Sequence, residues 1–137
     1  MKGLICRGEI YYIEGGYATG SEQHADRPGI IVSNDLNNRY SKTFEVVLLT
    51  TKDKRNLPTH VRIESAKHSS VAICEQIMTV AIERVGRYIG KLTVEEQAAV
   101  DLAMMVSVAL CPREWIAGLR YLIASNSFIR EETKSEE

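Results

Sequence analysis

The run Val46-Val47-Leu48-Leu49 places the tightest constraint on what this chain can fold into. Four consecutive apolar residues leave no polar face for solvent, so as a strand the segment must be covered on both sides and lie inside a sheet. Shorter β-branched stretches surround it at residues 10–13, 30–32, 71–75 and 78–82. In another, His60-Val61-Arg62-Ile63-Glu64, polar and apolar side chains alternate with the period of a half-buried strand. Turn formers such as Gly15-Gly16, Asn34-Asp35 and Asn56-Leu57-Pro58 punctuate the strands. The pattern predicts a small antiparallel barrel of the β-rich α+β class.

The period changes at Thr93-Val94-Glu95-Glu96, a capping box in which the Thr93 hydroxyl and the Glu96 carboxylate can satisfy backbone N–H groups at a helix start. A helix is expected from there to about Leu110, with Leu102, Met105, Val106, Ala109 and Leu110 forming the stripe that covers the barrel. Beyond Cys111-Pro112 a second amphipathic pattern carries Trp115, Leu119, Leu122 and Ile123, so residues 111–129 read as a helical extension and 130–137 as a frayed, charged tail. The Trp115 stripe can either extend the barrel's packing or serve a partner surface. With no internal repeat and no linker, the 137 residues read as one domain.

Several function classes are excluded early. The N-terminal Met1-Lys2-Gly3-Leu4-Ile5-Cys6-Arg7 is too short in apolar residues for a signal peptide, and no run approaches the ~20 apolar residues of a membrane span, which points to a cytoplasmic protein. Cys6, Cys74 and Cys111 are odd in number and far apart, so neither a disulfide framework nor a zinc site is expected. Gly-x-Ser-x-Gly, His-Glu-x-x-His and phosphate-loop signatures are missing, and the glycines of Gly15-Gly16-Tyr17-Ala18-Thr19-Gly20 lack the following helix and lysine that would cradle a phosphate. No metal or cofactor is expected. Residues 1–91 carry 13 Lys/Arg against 10 Asp/Glu while 92–137 carry 4 against 8, so a mildly basic body stands beside an acidic tail, a weak pointer to a polyanionic partner.

Polar residues gather at the strand ends. Arg7-Gly8-Glu9-Ile10-Tyr11 is followed by Gly20-Ser21-Glu22-Gln23 with Arg27-Pro28, Asn34-Asp35 with Asn38-Arg39, Leu57-Pro58-Thr59-His60-Val61, and Glu75-Gln76-Ile77 with Thr79. In this order and spacing the five motifs resemble the MazF/PemK/Kid toxin family over residues 7–110. The resemblance implies an SH3-like β-barrel with a C-terminal helix and a homodimer that cuts single-stranded RNA at a short sequence in the groove between protomers. It also implies a cognate antitoxin as partner. The family's arginine before proline and the threonine closing the following strand land on Arg27 and Thr50 as catalytic residues, and Glu22, Asn34, Asn38 and Gln76 fall on positions near the RNA groove.

The chemistry suits those residue types. RNA can be cut by its own 2′-hydroxyl attacking the adjacent phosphate, and a guanidinium with a hydroxyl donor beside it stabilises the charge that builds on the phosphoryl oxygens. A 2′,3′-cyclic phosphate and a 5′-hydroxyl are the expected ends, and DNA, lacking the attacking group, should resist. An arginine with its ordinary pKa above ~12 is a poor base, so His24 and Asp26 are candidates for proton transfer, while each also reads as a loop residue, Asp26 as a neighbour neutralising Arg27. Tyr17 reads equally as a base-stacking residue and as the pin of its own loop.

Residues 64–70 are shorter than in many family members, so no particular recognition sequence carries over. Two other readings share the fold: a non-catalytic toxin resembling the gyrase poison CcdB, and an inactive binding module. The Arg27/Thr50 pair argues against the first.

Overall fold

Why the run at residues 46–49 is apolar throughout becomes plain from its neighbours. The structure, a computed structural model, describes residues 3–15, 26–52 and 56–110 together with Trp115, Gly118 and Tyr121. Its strands are β1 (Glu9–Ile13), β2 (Arg27–Ile31), β3 (Thr43–Thr50), β4 (His60–Ile63), β5 (Ser70–Ala81) and β6 (Val85–Lys91), with helices α1 (Asp35–Tyr40) and α2 (Val94–Ser107). All strand pairs are antiparallel and the sheet runs β4-β5-β3-β2-β1-β6, so β3 is interior. Phe44, Val46 and Leu48 pack with Ile13, Ile31, Val80 and Val85 on one face. Val47 and Leu49 pack with Ile10, Ile30, Val61, Ile63 and Ala72 on the other, where Val100 and Ala103 of α2 join them.

The sheet is strongly curled. β5 and β6 stand four strand spacings apart in the order, about 19 Å if flat, yet only the 3-10 turn Ile82–Arg84 joins them. Four residue steps reach at most about 14 Å. The edge strands therefore approach: a Cβ on Gly90 of β6 would stand 2.6 Å from the Ser65 carbonyl oxygen just past β4, so only glycine fits there. β4 and β6 do not pair, and the ladder stays open between them. Glu96 of α2 spans the gap, its carboxylate accepting from the Thr93, Glu64 and Ser65 N–H groups and from the Ser65 hydroxyl.

Three elements differ from the sequence reading. The two strands expected at 71–75 and 78–82 are one twelve-residue β5, with a bulge where the pairing steps from Val47↔Ile77 to Leu49↔Ala72 and four residues, Ile73 to Gln76, face Leu48 alone. The bulge breaks the alternation, which is why it reads as a gap in sequence. Asn34-Asp35, expected as a turn, opens α1, six residues too short for a periodic signal and held by its cap: the Asn34 side chain accepts from the Asn37 N–H at 2.8 Å. β6 escaped notice because Gly86 and Gly90 dilute an edge strand with little burial.

The capping box at Thr93 and Glu96 forms as expected, but the covering stripe lies one turn earlier. Val100, Leu102 and Ala103 are buried whereas Met105 and Leu110 are 42% and 73% exposed, because the helix leaves the sheet and stops at left-handed Ala109, φ 61°. Of the proposed second stripe only Trp115 lies among the described residues, and it is 62% exposed. Among the described residues no helix is long and apolar enough to cross a membrane.

Candidate RNA-cleavage site

The residues expected to act at one site arise from four segments, and the sheet brings part of the set together. β2 pairs with β3 through Ile31↔Val46, Ile30↔Val47 and Gly29↔Leu48. The pairing ends at Gly29↔Leu48, two residues short of Arg27, the first residue of β2, and of Thr50, the last of β3, so the two stand at adjoining strand ends. Pro28 between them has no N–H to give the ladder, so the strands are free to part there. Both side chains are half-buried at the margin of the face built from Ile13, Ile31 and Leu48.

Thr50 is oriented for donation. Its Oγ1 accepts from the Lys52 N–H at 3.2 Å, so the hydroxyl proton remains to be given, and no acceptor takes it among the described residues. The backbone of Arg27 is held against Ile13 of β1, which fixes where its guanidinium starts. Asp26, next to it, accepts from the Gly15 N–H at 3.2 Å. Glu22, His24 and Tyr17 lie outside the described residues.

The β5 bulge lies beside the same end of β3 and exposes Glu75 and Gln76. Glu75 accepts from the Thr59 hydroxyl at 3.0 Å and pairs with His60 Nε2 at 3.0 Å. Burial alone would raise its carboxyl, but its own backbone N–H, His60 and Thr59 outweigh that and hold it below the usual carboxylate range. Thr59, His60 and Glu75 lie within the motifs but carry no sequence signal of their own beyond, for Glu75, its place next to Gln76.

Asn34 and Asn38 stand elsewhere. Asn34 caps α1, and Asn38, 6% exposed, accepts from the Ser33 hydroxyl at 2.5 Å while donating to the Ser33 carbonyl at 2.9 Å and to Asp35 at 3.3 Å. The Ser33 hydroxyl accepts in turn from the Glu45 N–H, five residues before Thr50, so α1 sits about 17 Å along β3 from Arg27 and Thr50. Within one protomer the two asparagines do not join that pair. We expect Asn38→Ala to cost about 2 kcal/mol by urea denaturation, because it strands the buried Ser33 groups.

The first motif is likewise structural. Arg7 forms a bidentate pair with Asp101 at 2.7 and 3.3 Å and donates to the Val32 carbonyl, while its N–H meets Asp35, tying the N-terminal segment to α1 and α2. Glu9 accepts from the Cys6 N–H and the Tyr11 hydroxyl.

Comparison with known proteins shows the family. Residues 6–108 match the model of the family described as PemK-like, MazF-like toxin of type II toxin-antitoxin system. The chain is 36% identical over 112 residues to endoribonuclease EndoA of Bacillus subtilis (strain 168), covering 78% of this chain and 97% of the relative. An endoribonuclease from a mycobacterial species, solved in complex with its cognate antitoxin, superposes with a TM-score of 0.68 at 27% identity over 79% of this chain and 98% of that one. MazF from Deinococcus radiodurans, at 15% identity, shares the fold with a TM-score of 0.68 over 79% of this chain and 99% of that one. With three quarters of its length matched to one family model and its six-stranded antiparallel sheet and C-terminal helix matched in the solved toxins, the chain belongs to the PemK-like, MazF-like toxins of type II toxin-antitoxin systems.

Proposed function

We infer that the chain is an endoribonuclease toxin that cuts single-stranded RNA at a short sequence, needs no metal, and is held in check by a cognate antitoxin. What supports the reading is that Arg27 and Thr50 lie at the adjoining ends of β2 and β3, just past their last pair, in a chain 36% identical to an endoribonuclease. In the proposed mechanism the 2′-oxygen bonds to the adjacent phosphorus as the bond to the 5′-oxygen breaks, and the proton lost from the 2′-hydroxyl is balanced by one gained, through solvent, at the departing 5′-oxygen. The Arg27 guanidinium takes the charge on the non-bridging oxygens through two parallel N–H donors, and the Thr50 hydroxyl adds a third. The products are a 2′,3′-cyclic phosphate and a 5′-hydroxyl.

Gln76, Glu22 and Asn34 are the proposed base-reading residues, and Asn38, also expected near the groove, is buried and bonded to Ser33 and Asp35, so its proposed part is to hold α1 in place beneath Asn34. The distance of α1 from Thr50 is the length of about three extended nucleotides, or is bridged by α1 of a second protomer, which fits a homodimer with the groove between copies. For the fold, the near meeting of Gly90 and Ser65 and the 3-10 turn between β5 and β6 support an SH3-like barrel spanning 7–110, with the later residues as its extension. Action in the cytoplasm, where messenger RNA is translated, completes the proposal.

The test is incubation of the purified protein with mixed-sequence RNA in EDTA. Discrete fragments with cyclic-phosphate ends are expected, and the deoxy version of the same sequence should stay whole. Intact RNA, or cleavage of both nucleic acids, defeats the reading.

A further inference from the structure

We propose that Thr59, His60 and Glu75 form a clamp that sets the base selectivity of the site by fixing the backbone from which Gln76 projects, an inference that rests on the nuclease reading above. The bulge is the reason a clamp is needed. Four residues of β5 face one of β3, so Ile73 to Gln76, the crest of the bulge, step out of the regular β3 register, while Ile73 keeps its partner His60 on β4. On the side toward β4 the Cys74 N–H still reaches the Thr59 carbonyl at 2.9 Å. The next residue, Glu75, then sends its carboxylate to the same short stretch of chain: Oε1 accepts from the Thr59 hydroxyl and Oε2 meets His60 Nε2, both at 3.0 Å.

The geometry favours positioning over chemistry. The His60 side chain is only 9% exposed and its Nε2 is occupied by Glu75, so the imidazole supports the carboxylate and does not face substrate. Glu75, 38% exposed, stands where RNA would pass, and an unpaired carboxylate there would repel phosphate; its two donors offset that charge while anchoring the crest. Gln76 follows it in the chain and is exposed. An amide reads a base edge only when both its donor and acceptor are aligned, so a crest free to shift by about 1 Å loses discrimination before it loses binding of the backbone.

The experiment uses the full chain, the RNA site that the wild type cuts best, and that site's single-base variants, with kcat and KM measured for each. Glu75→Ala is expected to lower the preference for the best site by about 10-fold or more at one base position, mainly through KM, leaving the other positions unchanged. Thr59→Val should act at the same position more weakly, and Glu75→Gln, which keeps an acceptor for Thr59, should restore part of the preference. Gln76→Ala should affect that position too, and adding Glu75→Ala to it should change little.

Wild-type selectivity in both Glu75→Ala and Thr59→Val, an equal loss of cutting on every RNA, or an effect at a position that Gln76→Ala does not touch overturns the clamp and leaves the nuclease reading standing. If Glu75→Ala does not fold, Thr59→Val, which removes one donor without changing shape, decides alone. A wild type that cuts no RNA removes both proposals together.

Discussion

Arg27→Ala is expected to yield a folded toxin whose cleavage rate on its best RNA site falls by about 10²–10³-fold, the usual cost of deleting one donor to a developing oxyanion. The guanidinium is the only group proposed to meet two phosphoryl oxygens at once, and charge accumulates on those oxygens at the moment of attack. Folding should survive because what β2 needs from this residue is its backbone, paired with Ile13. Arg27→Lys keeps a positive charge but not the planar fork, so it should recover only part of the loss. Single-turnover cleavage of end-labelled RNA, with a thermal melt of each variant, gives both readouts. A loss under about five-fold would mean that the transition-state charge is handled elsewhere.

The largest effect on stability is expected at Glu96. One carboxylate joins the first turn of α2 to the end of β4, accepting from the Glu64 N–H at 2.7 Å, the Thr93 N–H at 2.9 Å, the Ser65 N–H at 3.3 Å and the Ser65 hydroxyl. Charge-assisted bonds of this kind are worth more than neutral ones, though partial exposure lets water replace some of them. We expect Glu96→Ala to cost about 3 kcal/mol and Glu96→Gln roughly half. The fall in urea midpoint at unchanged m-value measures it.

The same site gives a pH dependence. Burial would raise the Glu96 carboxyl, but donors from Ser65, Thr93 and Glu64 outweigh it and hold the group below its ordinary value of 4.5; Glu75 is lowered likewise. A carboxyl lowered on folding contributes its stability above the unfolded value and loses it as pH falls through the folded one. The wild-type melting temperature should therefore drop on acidification below about pH 4.5, and Glu96→Ala should show a shallower drop over that window. Parallel curves would show that this carboxylate does not carry the acid sensitivity.

How much of this was legible beforehand differs by residue. Val46 to Leu49 announced an interior strand because an unbroken apolar run has only one stable environment in a sheet, and Thr93 with Glu96 announced a helix start because both bonds of the capping box are local. The β5 bulge was illegible, since a skipped register is a relation between two strands and leaves in one of them only a lapse of alternation. The same limit applied to α2: its covering stripe was judged by periodicity, whereas the point at which the helix leaves the sheet, near Met105, is set by the curl of the sheet beneath it.

At the site, it is the resemblance of the motifs that points to Arg27 and Thr50, and the chemistry of a phosphate under attack makes a guanidinium and a hydroxyl sensible there. Their place at adjoining ends of β2 and β3 depends on pairing between segments about twenty residues apart, and the distance of Asn34 and Asn38 from them on the length of β3. Sequence by itself determined the interior strand and the capped helix, since these follow from local periodicity and the properties of single side chains. Only the tertiary structure decided the curl, the bulge and the contacts of Glu75, because each joins segments that become neighbours only when the strands pair, and the burial of Asn38, because it needs the helix α1 that no periodicity announces.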